Sequence, residues 1–149
     1  MTYTVSNIIN SIAGALTPLD YPVYASQTQQ GVTTPCFFIS LMPSDSKSEV
    51  GGRYLNELNL DVVFLQEPNI ANATDEIYAV LDYLNENLEM FEYSDGTNTG
   101  YLHTYDRRHH LEVMDLHYQF SIRTRTYIDA VAQKMLKLEG ITYEIKRKG

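Results

Sequence analysis

The sequence has few of the features that cross-link small folds or anchor proteins in membranes. Its 149 residues include one cysteine and no tryptophan. A single cysteine excludes an intramolecular disulfide framework and a cysteine-rich zinc module. No stretch approaches 18 consecutive apolar residues, so the sequence predicts no membrane-spanning helix. The N-terminus carries no positive charge ahead of its apolar residues, which is unlike a secretory signal, and we expect synthesis and folding in a cytoplasm.

Positive charge is scarce and unevenly placed. The formal net charge is −8; residues 1–100 carry two basic and thirteen acidic side chains, and residues 101–149 carry nine basic and six acidic ones. A protein this acidic repels nucleic acid overall. Opposite charges on two parts of a chain can bring identical subunits together head to tail. Core elements that happen to place their solvated faces in this way would give the same distribution, so charge alone leaves both interpretations open.

Apolar residues at helical spacing predict three helices. The first covers residues 5–16, with Thr4 or Ser6 as its cap. The second covers residues 74–90, and acidic residues in its first turn suit the helix dipole. The third covers residues 128–138 and is closed by Gly140.

Strands are predicted where apolar residues run together or alternate. The run at residues 36–42 suits a strand covered on both faces. A loop at 44–52 joins it to a long alternating strand at 54–64, which makes a hairpin with an extended tip. The remaining predicted strands are 22–26, 91–93, a second hairpin of 101–107 with 112–126, and an edge strand at 141–145.

The order of these elements is helix, strands, helix, strands, helix. Hairpins separated by helices predict an α+β fold, with a mainly antiparallel sheet and helices packed on it. The chain shows no internal repeat and no linker, so residues 1–149 are predicted to form a single domain.

Four histidines raise the question of a metal site. His103, His109, His110 and His117 lie within fifteen residues, and zinc needs three or four converging ligands. On an extended strand His109 and His110 point to opposite faces, whereas a hairpin could bring His103 near His117. The sequence has no HExxH and no Cys-x-x-Cys motif. Solvated histidines are the better account, and we predict no metal and no cofactor.

The sequence gives no more support for nucleophilic catalysis than for a metal site. Cys36 lies within an apolar strand, where a thiol is usually an inert small hydrophobe with a raised pKa. No Gly-x-Ser-x-Gly elbow occurs, and the Gly51-Gly52 pair lacks the ending of a phosphate-binding loop. We therefore predict that the protein is not an enzyme. Its twelve tyrosines mildly favour a protein that binds other proteins.

The region around the first hairpin resembles the tail terminator family of tailed phages and of phage-derived tails in Gram-positive bacteria. The residues that carry the likeness are Gln30-Gly31, Pro35 to Ile39, Gly52-Arg53-Tyr54, and Leu60 to Phe64 followed by a proline turn and an acidic amphipathic helix. The likeness runs from the first helix to about Phe120. Its motifs are diffuse strand and loop positions without a catalytic signature.

The resemblance implies a structural role in tail assembly. Tail terminators form a hexameric ring on the growing end of a tail tube, stop its polymerisation and present a surface to head-completion proteins. In contractile tails the ring also anchors the last sheath layer, and headless bacteriocin-like tails use similar parts. If a head is present, the resemblance implies that DNA only passes through the lumen. A head–tail connector or completion protein of the same particle is the alternative, and in either case the protein assembles in the host cytoplasm and then becomes part of the particle.

Two exposed charged clusters are the candidate protein interfaces under this interpretation. The first belongs to the predicted loop and consists of Asp45, Lys47, Glu49 and Arg53, which would reach the tube or a neighbouring subunit. The second consists of Arg107, Arg108, His109 and His110 and would suit an acidic neighbour. A solvated hairpin tip or strand end remains the alternative for each cluster.

Overall fold

The computed structural model describes residues 2–25, 32–67 and 71–127 of the chain. The elements within these residues are α1 (Val5–Leu16), a short 3-10 helix (Thr17–Leu19), β1 (Val23–Tyr24), β2 (Cys36–Glu49), β3 (Arg53–Leu65), α2 (Ala73–Asn87), β4 (Met90–Ser94), β5 (Thr99–His103), β6 (Tyr105–Glu112) and β7 (Asp115–Tyr127). The predicted helix at 128–138 and the predicted strand at 141–145 lie outside the described residues. Neither of the two described α-helices has the length and apolar character needed to cross a membrane.

The strands form one larger and one smaller sheet. The larger has five strands in the order β1-β2-β3-β7-β6, and β4 pairs with β5 in the smaller. β1 runs parallel to β2, whereas β6 with β7 and β4 with β5 are antiparallel. The sequence prediction of an α+β fold with a mainly antiparallel sheet is confirmed.

Contacts along the chain define two compact units. Among the described residues, the larger unit lies within the ranges 1–45 and 57–123, and the smaller within 46–56 and 124–127. In the smaller unit a tight turn separates Glu49 from Arg53. Gly51 and Gly52 have φ angles of 87° and 74° in this turn, a region that glycine adopts without the steric cost of a Cβ atom.

The core of the larger unit lies between the two helices and one face of the larger sheet. α1 buries Ile8, Ile12 and Leu16 at the predicted helical spacing, and α2 buries Ile77, Val80 and Leu84. Alternate strand residues meet them and are also buried: Phe37, Ile39, Leu58, Leu60, Val62, Phe64, Leu116, Tyr118, Phe120 and Ile122. The period-2 alternation in β3 and β7 therefore has the cause that the sequence predicts, since the face toward the helices is covered and most of the other face is not.

A smaller apolar cluster covers part of the opposite sheet face. Cys36, Phe38 and Val63 are buried there, with Tyr24 and Leu65 packed against them. The start of β2 is thus buried on both faces, as its continuous apolar run predicts. Burial raises the pKa of the Cys36 thiol, with a further contribution from the charge of Asp115.

The start of the first helix matches its prediction and the end of the second does not. The Thr4 side chain accepts a hydrogen bond from Asn7 N at 3.1 Å, which caps α1. α2 ends at Asn87 rather than at residue 90. The chain leaves the helix at Leu88 because Met90 already pairs with His103 in the smaller sheet.

The predicted loop at 44–52 is wrong for most of its length. β2 continues through this polar segment to Glu49. Asn59 of β3 holds the segment by donating its backbone N–H to Ser44 Oγ at 3.0 Å and its side-chain amide to Pro43 O at 2.7 Å. Polar side chains do not prevent strand pairing, because the backbone supplies the ladder hydrogen bonds.

The second predicted hairpin is wrong in its first strand. The segment 101–107 is divided between β5, which pairs with β4, and β6, which pairs with β7. Thr104 fixes the break: its backbone N–H donates to Glu89 O at 3.0 Å and its hydroxyl donates to Leu88 O at 2.6 Å. A left-handed Asp106 follows, with φ of 55°, and β6 then starts a new pairing.

Candidate functional site

Strand β6 forms an outer edge of the larger sheet in the described residues. It pairs with β7 on one side and is last in the strand order. All eight of its side chains, from Tyr105 to Glu112, are exposed. An edge strand presents backbone N–H and C=O groups that a second chain can pair with. β6 is therefore a surface through which another protein chain can bind.

The two arginines of β6 contact only uncharged groups in the described part of the chain. Arg107 Nη1 donates to the carbonyl oxygen and to the hydroxyl oxygen of Thr104, both at 3.1 Å. Arg108 Nε donates to Gln119 Oε1 at 3.3 Å. The guanidinium groups are positioned by these contacts, but no described carboxylate neutralises them. Such charges are suited to an acidic partner.

A third arginine, on the neighbouring strand β7, differs from these two because it contacts carboxylates. Arg123 Nε donates to Glu57 Oε2 at 2.9 Å, and its Nη2 lies 3.7 Å from Asp106 Oδ2. The guanidinium carbon also lies 4.4 Å from the centroid of the Tyr105 ring. The hydrogen bond with Glu57 raises the pKa of Arg123. This arginine is engaged within its own unit, and sequence reasoning did not single it out.

The two histidines of β6 face opposite sides of the sheet, as expected for an extended segment. The His109 ring stacks on the buried Tyr118, with ring centroids 6.4 Å apart. The His110 ring stacks on His117, with centroids 4.9 Å apart. The approach of His103 to His117 that a hairpin would allow is not formed: His103 lies in β5 opposite Met90, whereas His117 lies in β7 opposite His110.

In the smaller unit, one carboxylate holds two arginines. Glu49 Oε1 lies 3.2 Å from Arg53 Nε and 3.0 Å from Arg125 Nε. The Arg53 contact is an ion pair rather than a hydrogen bond, since Arg53 Nε has no hydrogen-bond partner among the described residues. The structure thus brings together two of the predicted residues, Glu49 and Arg53, and adds Arg125. The only sequence signal for Arg125 is its alternation with Arg123 along β7.

The other two residues of this predicted cluster are exposed. Asp45 and Lys47 lie in β2 with solvent-accessible side chains, Asp45 in the larger unit and Lys47 in the smaller. Neither forms a salt bridge with a described residue. The candidate surfaces are consequently strands rather than the flexible loop that the sequence suggested.

One group of side chains has the composition of a metal site. Among the described residues, His110, Glu112 and His117 place one potential ligand atom each within 4.8 Å of one another. His110 and Glu112 come from β6 and His117 from β7. Sequence reasoning missed the group because it depends on the register that sets His110 opposite His117.

Comparison with known proteins identifies one family. A family model described as "Phage tail terminator protein" matches residues 7–134. Among solved structures, the chain is similar to a protein in the "Virion of native gene transfer agent (GTA) particle", with 17% sequence identity and a TM-score of 0.46 over 85% of this chain and 100% of that one. The search of curated proteins gave no significant match.

Proposed function

Because the chain belongs to the phage tail terminator family, we propose that six copies form a ring that caps the end of a phage or phage-like tail tube. The ring stops the tube protein from polymerising and gives the head-completion proteins a surface to bind. In a contractile tail it also anchors the last layer of sheath. Family membership makes the chain a structural component of a virion tail, and the ring is the form we propose for it.

The observation that carries the proposal is the exposed edge strand β6 with Arg107 and Arg108. A closed ring of identical subunits needs a heterologous interface, in which one surface of a subunit meets a different surface of the next. The β6 edge is one such surface, and it carries positive charge without a carboxylate partner in the described residues. The complementary surface must then be acidic.

An acidic stripe on α2 supplies that complement. Asp75, Asp82 and Glu86 lie at i, i+7 and i+11, which places them on one face of the helix. All three side chains are exposed, and none forms a salt bridge with a described residue. We assign the contact between neighbouring subunits to the β6 arginines of one copy and this stripe of the next.

The smaller unit is the proposed contact with the tail tube. Lys47 is exposed there, and the pairing of Glu49 with Arg53 and Arg125 fixes the strands beside the turn. Asp45, the remaining residue of this charged cluster, belongs to the larger unit and is proposed as an interface residue as well. DNA, where the particle has a head, passes through the lumen without being bound, since a net charge of −8 repels phosphate.

The test combines microscopy with charge exchange. Purified protein is incubated with its own tail tubes and viewed by negative stain, while light scattering gives its mass. Rings near six times 17.1 kDa, or a cap on one tube end with uniform tube length, support the proposal. A monomer that ignores tubes contradicts it and favours the head–tail connector role.

Charge reversal tests the residue assignment. Arg107→Glu with Arg108→Glu should abolish the ring or the cap while thermal unfolding of the subunit is unchanged, because both side chains are exposed. Arg107→Lys with Arg108→Lys is the matched control, and it should retain capping because the charge is kept. Adding Asp82→Lys and Glu86→Lys to the Glu pair should restore assembly. Wild-type capping by the Glu pair would refute the role of these arginines.

A further inference from the structure

Four titratable side chains gather on the sheet face opposite the helices. His110 and Glu112 come from β6, His117 from β7 and Asp61 from β3, and all lie in the larger unit. Two of the four are largely shielded from solvent, since the side chains of His117 and Asp61 are 17% and 13% exposed. Glu112 lies at the open side of the group. The group therefore has one side that is shielded from solvent, at Asp61 and His117, and one side that an ion can reach, at His110 and Glu112.

The ligand atoms already lie near the spacing of a tetrahedral ion. His110 Nε2 is 3.2 Å from Glu112 Oε1, and His117 Nε2 is 3.9 Å from Glu112 Oε2. Bonds of 2.0–2.1 Å around a tetrahedral zinc ion place neighbouring ligand atoms about 3.3 Å apart. One ligand atom from each of the three residues lies within 4.8 Å of the others, so the exposed His110 and Glu112 side chains would have to move inward to reach that spacing.

Asp61 orients the His117 ring through a hydrogen bond. Asp61 Oδ2 lies 2.8 Å from His117 Nδ1, and a carboxylate can only accept a hydrogen bond, so Nδ1 carries the proton. In the neutral ring Nε2 then holds the lone pair, and it faces the carboxylate of Glu112. Two acceptors turned toward each other favour a cation between them. The pairing of a ligating histidine with a carboxylate on its other nitrogen is also the usual support of a metal site.

Two imidazoles and one carboxylate suit a borderline ion such as zinc better than calcium or magnesium, which prefer oxygen ligands. Three protein ligands leave a fourth position open. The geometry points to a Zn²⁺ site formed by His110, Glu112 and His117, with Asp61 as the positioning residue. This inference is independent of the proposed tail function, since it needs only the single folded chain.

The experiment uses the full chain without a histidine tag, after treatment with a chelator. Isothermal titration with ZnCl₂ measures affinity and stoichiometry, and the visible bands of bound Co²⁺ report tetrahedral coordination. Wild type should bind one ion per chain. His110→Ala and Glu112→Gln alter exposed side chains and should abolish saturable binding. Asp61→Asn should weaken binding about 10–100-fold, as expected for a residue that supports a ligand.

His109→Ala is the matched control. It removes the adjacent histidine of the same strand, whose ring stacks on Tyr118 on the other sheet face, so zinc binding should not change. The proposal is overturned if wild type shows no saturable one-to-one binding. It is equally overturned if His109→Ala loses as much affinity as His110→Ala, because binding would then be an unspecific property of surface histidines.

Discussion

The turn between β6 and β7 allows a direct test of backbone strain. Glu112 pairs with Asp115, so Val113 and Met114 form a two-residue turn. Val113 has φ of 57°, which is unfavourable for a β-branched residue. The residue is 92% exposed, so almost no packing offsets the cost. Glycine is the preferred residue for a hairpin turn with positive φ at the first position.

Val113→Gly should therefore stabilise the protein. A left-handed conformation costs an L-residue about 1–2 kcal/mol, and the greater freedom of glycine in the unfolded chain offsets about 0.4–1 kcal/mol of the relief. The difference between these ranges is about 0–1.6 kcal/mol, with a central net gain of about 0.8 kcal/mol. In a protein of this size that raises the melting temperature by about 1–4 °C. Calorimetry or thermal unfolding followed by circular dichroism measures the shift.

A second valine provides a closely matched control. Val50 is 91% exposed and also lies in a hairpin turn, but it is absent from the residues with positive φ. Val50→Gly removes the same side chain without relieving strain, so it should lower the melting temperature or leave it unchanged. If Val113→Gly is destabilising, or if both variants shift the melting temperature upward equally, the strain argument is refuted.

Two further predictions concern buried and turn hydrogen bonds. The Asp95 carboxylate accepts from the backbone N–H groups of Asn98 at 2.6 Å and Thr97 at 2.9 Å, and backbone hydrogen bonds, the largest from Asn98, lower its pKa from 3.8 to about 2. A carboxyl whose pKa is lowered in the folded state contributes stability above pH 3.8 that is lost as the pH falls through 2. Asp95→Asn should therefore be less stable than wild type at neutral pH, and the difference measured by urea unfolding should vanish as the pH is lowered across that window. A difference that is independent of pH would contradict the assignment. Thr104→Val leaves Leu88 O without its buried donor and should cost about 1–3 kcal/mol of unfolding free energy, whereas a midpoint equal to wild type would show that the hydroxyl is not needed.

Local signals in the sequence predicted much of the fold. α1 has the predicted bounds because its apolar stripe lies within the segment itself and its Thr4 cap directly precedes it. The alternation in β3 and β7 likewise reports burial of one face, which is a property of each strand alone. Fold class followed from the order of such elements.

The errors arose where distant residues decide the structure. The break between β5 and β6 depends on Thr104 binding the carbonyl groups of Leu88 and Glu89, which single-strand periodicity does not report. The extension of β2 depends on Asn59 of the partner strand. The group around His117 depends on Asp61, 56 residues away in the chain. Sequence spacing cannot show that β7 lies between β3 and β6, and this order brings the side chains together.

The basic residues of β6 also select the symmetry with which copies of the chain can pair. Two β6 strands that meet antiparallel about their midpoints set Arg108 opposite His109 and Arg107 opposite His110. The same register sets Arg107 of one copy diagonally across from Arg108 of the other, within reach of long side chains, and like charges at such positions on paired strands repel. A two-fold dimer through this edge is therefore disfavoured. The same charges do not oppose a head-to-tail contact, in which the β6 edge of one copy meets a different surface of the next.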